Sequence, residues 1–325
     1  MSRSSRIEHL IIVAQRAAQF RCAIAVASYF VMRYKAIRIE GACMASAIHQ
    51  PTSERLPYVE GELNFIDPAG PKPANYMYQP PEGVPLSTGS YLKFTVPIYD
   101  VRPMLSELSL DREGFEIVGQ ESKVACFYDE DEVKRVYYPE VERLVREHTG
   151  AVKVHVFDHN VRCRPMAKAR ENGAREPVKF AHNDYTLKSG PQRVRDLLPN
   201  EAEALLKNRF AVINVWRPIS GPVEESPLAV CDGRSMSADD FVLQDLLYRD
   251  RTGEVYAVAH NPKQRWCYFP HQRKEEVLLL KCYDSDANRL RFTAHSAFED
   301  PTSPRDAAPR ESIEVRTLVF FAPER

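Results

Sequence analysis

Short extended segments, separated by turns that contain proline or glycine, make up most of this 325-residue chain. All 24 prolines lie beyond residue 50, and no GxGxxG motif follows any of the extended segments. This pattern argues against a doubly wound dinucleotide-binding fold and favours antiparallel sheets. Because a helical pattern at Glu130–His148 precedes most of these segments, we expect a mainly β, α+β fold. Its core would be a double-stranded β-helix (jelly roll) braced by N-terminal helices.

The predicted helices and strands follow from the spacing of apolar residues. Glu130–His148 carries an apolar stripe at helical spacing, and Pro139 within it predicts either a kink or the start of a second helix. A further helix is predicted over Val194–Lys207, where Pro199 interrupts its start. The predicted strands are Leu92–Tyr99, Ala151–Asp158, Phe210–Ile219, Leu228–Arg234, Glu254–His260 continuing through Trp266–Phe269, Glu276–Tyr283, Arg291–Phe298 and Ser312–Phe321.

The first 43 residues differ from the rest of the chain. They contain seven basic residues, two acidic residues and no proline. A basic, acid-poor start is typical of a mitochondrial targeting segment, and a dispensable extension or a structural helix are the alternatives. The uncharged run Ala23–Met32 has ten residues and is too short to span a bilayer. We therefore expect residues 44–325 to form a single jelly-roll domain and residues 1–43 to be dispensable or targeting.

Charge and cysteine content narrow the class of protein. Lys and Arg together number 44 against 45 Asp and Glu, which argues against a nucleic-acid partner. The seven cysteines are an odd number without a CxxC pair, so they indicate reduced thiols in an intracellular protein. We expect a cytoplasmic protein without a membrane span, with mitochondrial targeting as the alternative. Nothing in the sequence sets the oligomeric state.

A metal site is predicted from one histidine–aspartate pair and a distant histidine. Side chains two residues apart on a strand point to the same side, so His182 and Asp184 can face one ion. His295, which follows 111 residues after Asp184, supplies a third ligand from a far strand. Two histidines and one carboxylate are the ligand set of non-haem Fe(II) oxygenases. His260, at the end of another strand pattern, is the alternative third ligand.

The last predicted strand carries an anion site. Arg310, Ser312, Glu314 and Arg316 alternate with Ile313, Val315 and, less cleanly, Thr317, so one face of the strand is predicted to be apolar and the other polar. Burying the polar face is costly unless an anion or an ion pair satisfies it. The planar guanidinium of Arg310 and the Ser312 hydroxyl suit the distal carboxylate of 2-oxoglutarate. The alternatives are an exposed edge strand with surface charges, or Arg217 as the co-substrate arginine.

The order of these motifs resembles one known family. The chain from about residue 58 to 321 is similar to the fungal hydroxylase/desaturase family of AsaB-like and CmcJ-like proteins, also described as gibberellin A4 desaturase-like. The matching runs are VFDHNVR (156–162), AHNDYT (181–186), NVWRPISGPVEESPLAVCD (214–232), DLLYRDRTGEVYAVAHNP (245–262), RWCYFP (265–270), EVLLLKCYDS (276–285), FTAHSAFEDP (292–301) and PRESIEVRTLVFF (309–321). Asn160, Cys163 and Gln264 depart from the usual residues of that pattern.

The resemblance implies an Fe(II)/2-oxoglutarate-dependent oxidoreductase. It would use O2 to hydroxylate or desaturate a small organic molecule of secondary metabolism. His182, Asp184 and His295 would be the iron ligands, and Arg310 with Ser312 would bind the co-substrate. Two other functions stay open: a catalytically inactive jelly-roll protein that binds a metabolite, and a non-oxidative metal-dependent isomerase.

Overall fold

Two β-sheets form the framework of the computed structural model, which describes residues 56–323. The larger sheet has nine strands in the order β1-β3-β11-β8-β13-β6-β10-β9-β2, and the smaller sheet has five in the order β4-β12-β7-β14-β5. The strands are β1 (Tyr58–Ile66), β2 (Ala74–Tyr76), β3 (Tyr91–Asp100), β4 (Phe115–Gly119), β5 (Lys153–Cys163), β6 (His182–Asn183), β7 (Phe210–Pro218), β8 (Leu228–Cys231), β9 (Phe241–Leu247), β10 (Thr252–Val258), β11 (Trp266–Tyr268), β12 (Glu276–Asp284), β13 (His295–Ala297) and β14 (Glu311–Phe320).

Short helices connect and cover these strands. The α-helices are α1 (Glu130–Glu132), α2 (Tyr138–Thr149), α3 (Arg164–Ala169), α4 (Ser189–Leu197) and α5 (Ala202–Leu205). A π-helical turn over Val133–Tyr137 joins α1 to α2, and 3-10 helices lie at Arg102–Glu107, Gly233–Ser235 and Ala238–Asp240. The mainly β jelly-roll prediction with bracing helices is confirmed.

The helix predicted at Glu130–His148 begins where a side chain caps it. The Asp129 carboxylate accepts a hydrogen bond from the Glu132 backbone N–H at 3.0 Å, which satisfies one of the donors left free at a helix start. Pro139 lies at the second position of α2, where it needs no backbone N–H, so it starts a new helical segment. Gly150 ends α2 in the left-handed conformation at φ +69°.

Several predicted boundaries are wrong for local reasons. The helix predicted over Val194–Lys207 is instead the pair α4 and α5, because Pro199 separates them. The strand predicted over Leu228–Arg234 ends at Cys231, where the Asp232 carboxylate caps a 3-10 turn by accepting from the Arg234 N–H. The strand predicted over Arg291–Phe298 is only His295–Ala297, and residues 254–269 form two strands, β10 and β11, rather than one.

The main core fills the space between the two sheets. Val212, Leu280 and Leu318 come from the smaller sheet, and Val230 and Cys267 come from the larger one; all belong to one cluster of buried side chains. Each buried aliphatic side chain of this size contributes about 1.5–3 kcal/mol relative to an exposed one. This core holds the inner faces of the sheets together.

A second core covers the outer face of the smaller sheet. Val215 of β7 and Ile313 of β14 pack with Val141 and Val145 of α2. The helix stripe predicted from the sequence therefore covers this sheet from outside.

Strand β14 is an interior strand of the smaller sheet, between β5 and β7. Ile313 and Val315 point outward to the helix cluster, whereas Ser312 and Glu314 point to the inner face. The register shift between Arg316 and Thr317 places the extra residue in β5, so the alternation continues along β14, with Leu318 inward and Val319 outward. The exposed edge-strand alternative is therefore wrong, and the polar face of β14 is buried.

The predictions for residues 1–43 lie outside the described residues. The prediction of a separate N-terminal segment and of its targeting role stays untested. No helix within residues 56–323 is long and apolar enough to cross a membrane.

Candidate metal centre

Three predicted ligands meet at the inner face of the larger sheet. His182 of β6 and His295 of β13 are paired directly across the two strands, and Asp184 follows β6 immediately. One ligand atom from each of the three residues lies within 4.8 Å of the others. The structure therefore brings together a pair and a distant residue that the sequence separates by 111 positions.

Backbone carbonyls orient both imidazole rings. His182 Nδ1 lies 2.7 Å from the Phe180 carbonyl oxygen, and His295 Nδ1 lies 3.3 Å from the Thr293 carbonyl oxygen. A carbonyl only accepts hydrogen bonds, so each Nδ1 carries a proton and Nε2 is left as the nitrogen for a metal ion. Nε2 of His182 lies 3.5 Å from Asp184 Oδ1. The rings are thus oriented as metal ligands before any ion binds.

A buried amide holds the carboxylate. Asn214 Nδ2 of β7 donates to Asp184 Oδ2 at 2.6 Å, and Asn214 is fully buried. Oδ1 is therefore the oxygen of Asp184 that faces the histidines. The sequence reading did not predict this contact. Its only signal is that Asn214 is the single strongly polar residue in the run FAVINVW of β7.

The electrostatics of the cluster favour a cation. Burial raises the pKa of Asp184, but the hydrogen bond from His182 and the neighbouring positive charges outweigh it and hold that pKa well below the ordinary value. Burial, together with the charge of His182, lowers the pKa of His295 to about 4. Burial also lowers the pKa of His182, but the Asp184 carboxylate more than compensates and raises it above the ordinary value. Asp184 is therefore an anion and His295 a neutral donor near neutral pH.

The donor set fits Fe(II). Two imidazole nitrogens and one carboxylate oxygen form the 2-His-1-carboxylate group that non-haem iron uses. The carbonyls behind each Nδ1 and the amide behind the carboxylate supply the outer hydrogen bonds that metal ligands need.

The predicted anion site is buried, and some of its hydrogen-bond donors have no acceptor among the described residues. Arg310 is 3% exposed and Ser312 is 1% exposed. Arg310 Nη1 donates to the Ser226 carbonyl, and the guanidinium lies 5.5 Å from the centre of the Trp216 ring. Arg310 Nε and Ser312 Oγ have no hydrogen-bond partner. Burial, reinforced by the charge of Arg162, lowers the pKa of Arg310 to about 9. Unused buried donors beside a cation fit a carboxylate ligand.

The two alternative site residues lie elsewhere. Arg217 is on the outer face of β7, where Nη2 donates to the Lys274 carbonyl and the guanidinium lies 5.7 Å from the Tyr137 ring centre. His260 stacks on Phe94 with ring centres 3.9 Å apart. Neither residue belongs to the ligand group found within residues 56–323.

Further charged residues share the inner face of the smaller sheet. Glu314 follows Ser312 by two residues, and its pKa is raised by burial and by the charge of Asp184. Arg316 Nε lies 2.8 Å from Asp158 Oδ1 of β5. A cavity of about 390 Å³ borders Arg310, and a second of about 320 Å³ borders Asp158.

Comparison with protein families gives one model that covers most of the chain. A family model described as an oxidoreductase/YMDC permease-like domain matches residues 63–320. This match contains the three candidate ligands and the anion site.

Curated relatives are fungal enzymes. The chain is 33% identical to the Fe(II)/2-oxoglutarate-dependent dioxygenase nvfI of Aspergillus novofumigatus over 276 residues, which cover 81% of this chain and 97% of that protein. It is 35% identical to the hydroxylase/desaturase efuI of Hormonema carpetanum over 249 residues, which cover 70% of this chain and 83% of that protein.

A solved structure has the same fold. The iron and alpha-ketoglutarate-dependent endoperoxidase NvfI superimposes with a TM-score of 0.74 at 30% identity, covering 82% of this chain and 98% of that one. Similarity in sequence and in fold therefore extends over a similar share of the chain.

Proposed function

The chain belongs to the family of Fe(II)/2-oxoglutarate-dependent dioxygenases and hydroxylase/desaturases, and from this we propose that it oxidises a small organic molecule of secondary metabolism with O2 and 2-oxoglutarate. The outcome would be hydroxylation or desaturation. The observation that carries the proposal is the His182, Asp184 and His295 cluster on one side of a barrel whose other side presents Arg310 and Ser312.

Each side chain has a defined task in this proposal. His182, Asp184 and His295 would hold the iron, and Asn214 keeps one carboxylate oxygen turned toward it. Bound Fe(II) would supply the activation of O2, driven by oxidative decarboxylation of 2-oxoglutarate.

The co-substrate would be oriented from its far end. Arg310 and Ser312 would bind the distal carboxylate, so the 2-oxo acid end is directed toward the metal. Both residues are buried, and water therefore competes weakly for the charge-assisted hydrogen bonds. The protein contributes orientation and a dry cavity rather than an acid or a base.

Alanine variants of the ligands test the proposal. Wild-type protein should develop a visible charge-transfer band when Fe(II) and 2-oxoglutarate are added without O2, and should form succinate once O2 and substrate are supplied. His182→Ala and Asp184→Ala should lose both signals, because each removes a ligand. His260→Ala is the matched control and should keep the band, since that ring stacks on Phe94.

Two results would contradict the proposal. Full succinate formation by either ligand variant would show that these residues do not hold the iron. A charge-transfer band without any succinate, across a panel of candidate metabolites, would indicate a binding protein instead.

A further inference from the structure

Arg162 is a third donor beside the anion site. In the antiparallel pair of β5 and β14 it lies directly opposite Ser312, and directly opposed residues point to the same face of a sheet. Arg162 Nη1 donates to the Glu176 carbonyl at 2.8 Å. Within residues 56–323 no carboxylate oxygen comes within the 4.0 Å of an ion pair with Arg162. Its guanidinium therefore keeps donors for another partner.

Arg162 and Arg310 form a pair of like charges in a buried place. Arg310 is 3% exposed, and Arg162 is partly buried. The charge of Arg162 is the largest electrostatic contribution that lowers the pKa of Arg310, after burial itself. Two like charges at a site where one guanidinium is buried and the other partly buried are costly unless an anion lies near them.

The nearest carboxylates do not neutralise this pair. Glu225 is engaged by Arg164 at 2.7 Å and accepts from the backbone N–H of Arg310 rather than from its guanidinium. Glu314 influences Arg162 through its charge but forms no ion pair with it. The Ser312 hydroxyl beside them also has no partner. Within the part of the chain that the structure describes, Arg310 Nε and Ser312 Oγ thus lack an acceptor, and no carboxylate forms an ion pair with Arg162 beside them.

We propose that Arg162 is a second guanidinium for the distal carboxylate of 2-oxoglutarate, acting together with Arg310 and Ser312. The assignment rests on the proposed function, because it takes 2-oxoglutarate as the co-substrate. Arg162 would thereby select a dicarboxylic 2-oxo acid over a 2-oxo acid without the second carboxylate.

The test pairs two ligands with two variants. Binding of 2-oxoglutarate and of 2-oxobutyrate, which lacks the distal carboxylate, is measured by titration calorimetry on Fe(II)-loaded protein without O2. Arg162→Gln should weaken the binding of 2-oxoglutarate about 10- to 100-fold, which is the range expected for loss of a charge-assisted hydrogen bond. The binding of 2-oxobutyrate should stay unchanged. Arg310→Gln should give the same pattern. Arg175→Gln is the matched control, because Arg175 is an exposed arginine whose backbone forms a β-bridge with the backbone of Arg162.

The ligand comparison separates a binding role from a structural one. If Arg162→Gln weakens the binding of both ligands equally, or of neither, the assignment is wrong. Melting temperature and iron affinity are measured for each variant; if Arg162→Gln does not fold, Arg162→Lys is used, and a loss confined to 2-oxoglutarate is again required. Failure of the proposed function itself would look different, since the wild-type protein would then bind neither ligand in an iron-dependent manner.

Discussion

A single amide, that of Asn214, determines which oxygen of Asp184 faces the two histidines. The amide occupies Oδ2 at 2.6 Å, and its own Oδ1 is buried without a partner. A residue on the opposite sheet from the metal ligands thus sets the geometry of one of them. Such outer contacts commonly change metal affinity 10- to 100-fold, roughly, when they are lost.

Asn214→Leu should lower Fe(II) affinity by about 10- to 100-fold, because it removes the donor while keeping a similar side-chain volume. Chelator competition without O2 measures the affinity. Val215→Ala, the next residue on the same strand, points to the helix side and should reduce stability without changing iron affinity. Iron binding by Asn214→Leu at the wild-type level would contradict this role.

The sequence predicted the residues whose chemistry is visible locally. His182 with Asp184 is a short motif, His295 completes a known ligand set, and Arg310 with Ser312 stands on an alternating strand. Asn214 and Arg162 were not predicted, because Asn214 acts on a residue of the opposite sheet and Arg162 acts through the residue paired with it on β14. Register is set by pairing over long sequence separations, which a single sequence does not reveal.

At the scale of elements, turns and caps decide where strands end. Strand β13, which begins at His295, is only three residues long. The residues before it form a loop that is hydrogen-bonded to the backbone of Gly114. The Gly114 carbonyl accepts from the Thr293 hydroxyl at 3.1 Å, and the Thr293 carbonyl in turn accepts from His295 Nδ1. Hydrophobic periodicity found the strand but could not show this backbone contact, so its predicted start was too early.

Gly114→Ala should disturb the metal site from a distance. Gly114 has φ +93°, and a Cβ there would lie 2.0 Å from Thr293 Oγ1. We expect a stability loss of about 1–3 kcal/mol and a weaker Fe(II) affinity, because Thr293 orients His295. Denaturant unfolding and chelator competition measure the two effects.

Gly150→Ala is the control for that variant. Gly150 also has positive φ, at +69°, but nothing lies within 4 Å of its added Cβ. Gly150→Ala should lower the free energy of unfolding by about 1–2 kcal/mol through backbone strain and leave the iron affinity unchanged. Equal iron affinities in the two variants would contradict the link from Gly114 to His295.

At the scale of the whole molecule, the mainly β jelly roll could be predicted because many short strands and a helix stripe admit few other arrangements. The near balance of 44 basic and 45 acidic residues lets carboxylates pair with arginines throughout the described part. One such pair joins the 3-10 helix at Arg102–Glu107 to β12: Arg102 Nη1 and Nη2 donate to the two oxygens of Glu276 at 2.8 and 2.9 Å. The Arg102 hydrogen bond holds the pKa of Glu276 below its usual value.

This pair should make stability fall in acid. The folded state binds the Glu276 proton less readily than the unfolded state does, so the contribution is present above the unfolded pKa of about 4.3 and is lost as pH falls through the lower folded pKa. Because both side chains are partly exposed, the effect is at most about 1 kcal/mol. Urea midpoints above and below that pH should show a shallower pH dependence in Arg102→Gln and in Glu276→Gln alike. Unchanged pH profiles in both variants would contradict it.

The two faces of β14 have different roles. Ile313 and Val315 carry hydrophobic stability on the helix side, whereas Ser312 and Glu314 face the site. The inward polar positions can therefore change without loss of the outward packing that keeps the strand in place. For protein engineering, substitutions at Glu314 would change the polar lining of the site while leaving the apolar packing of β14 in place.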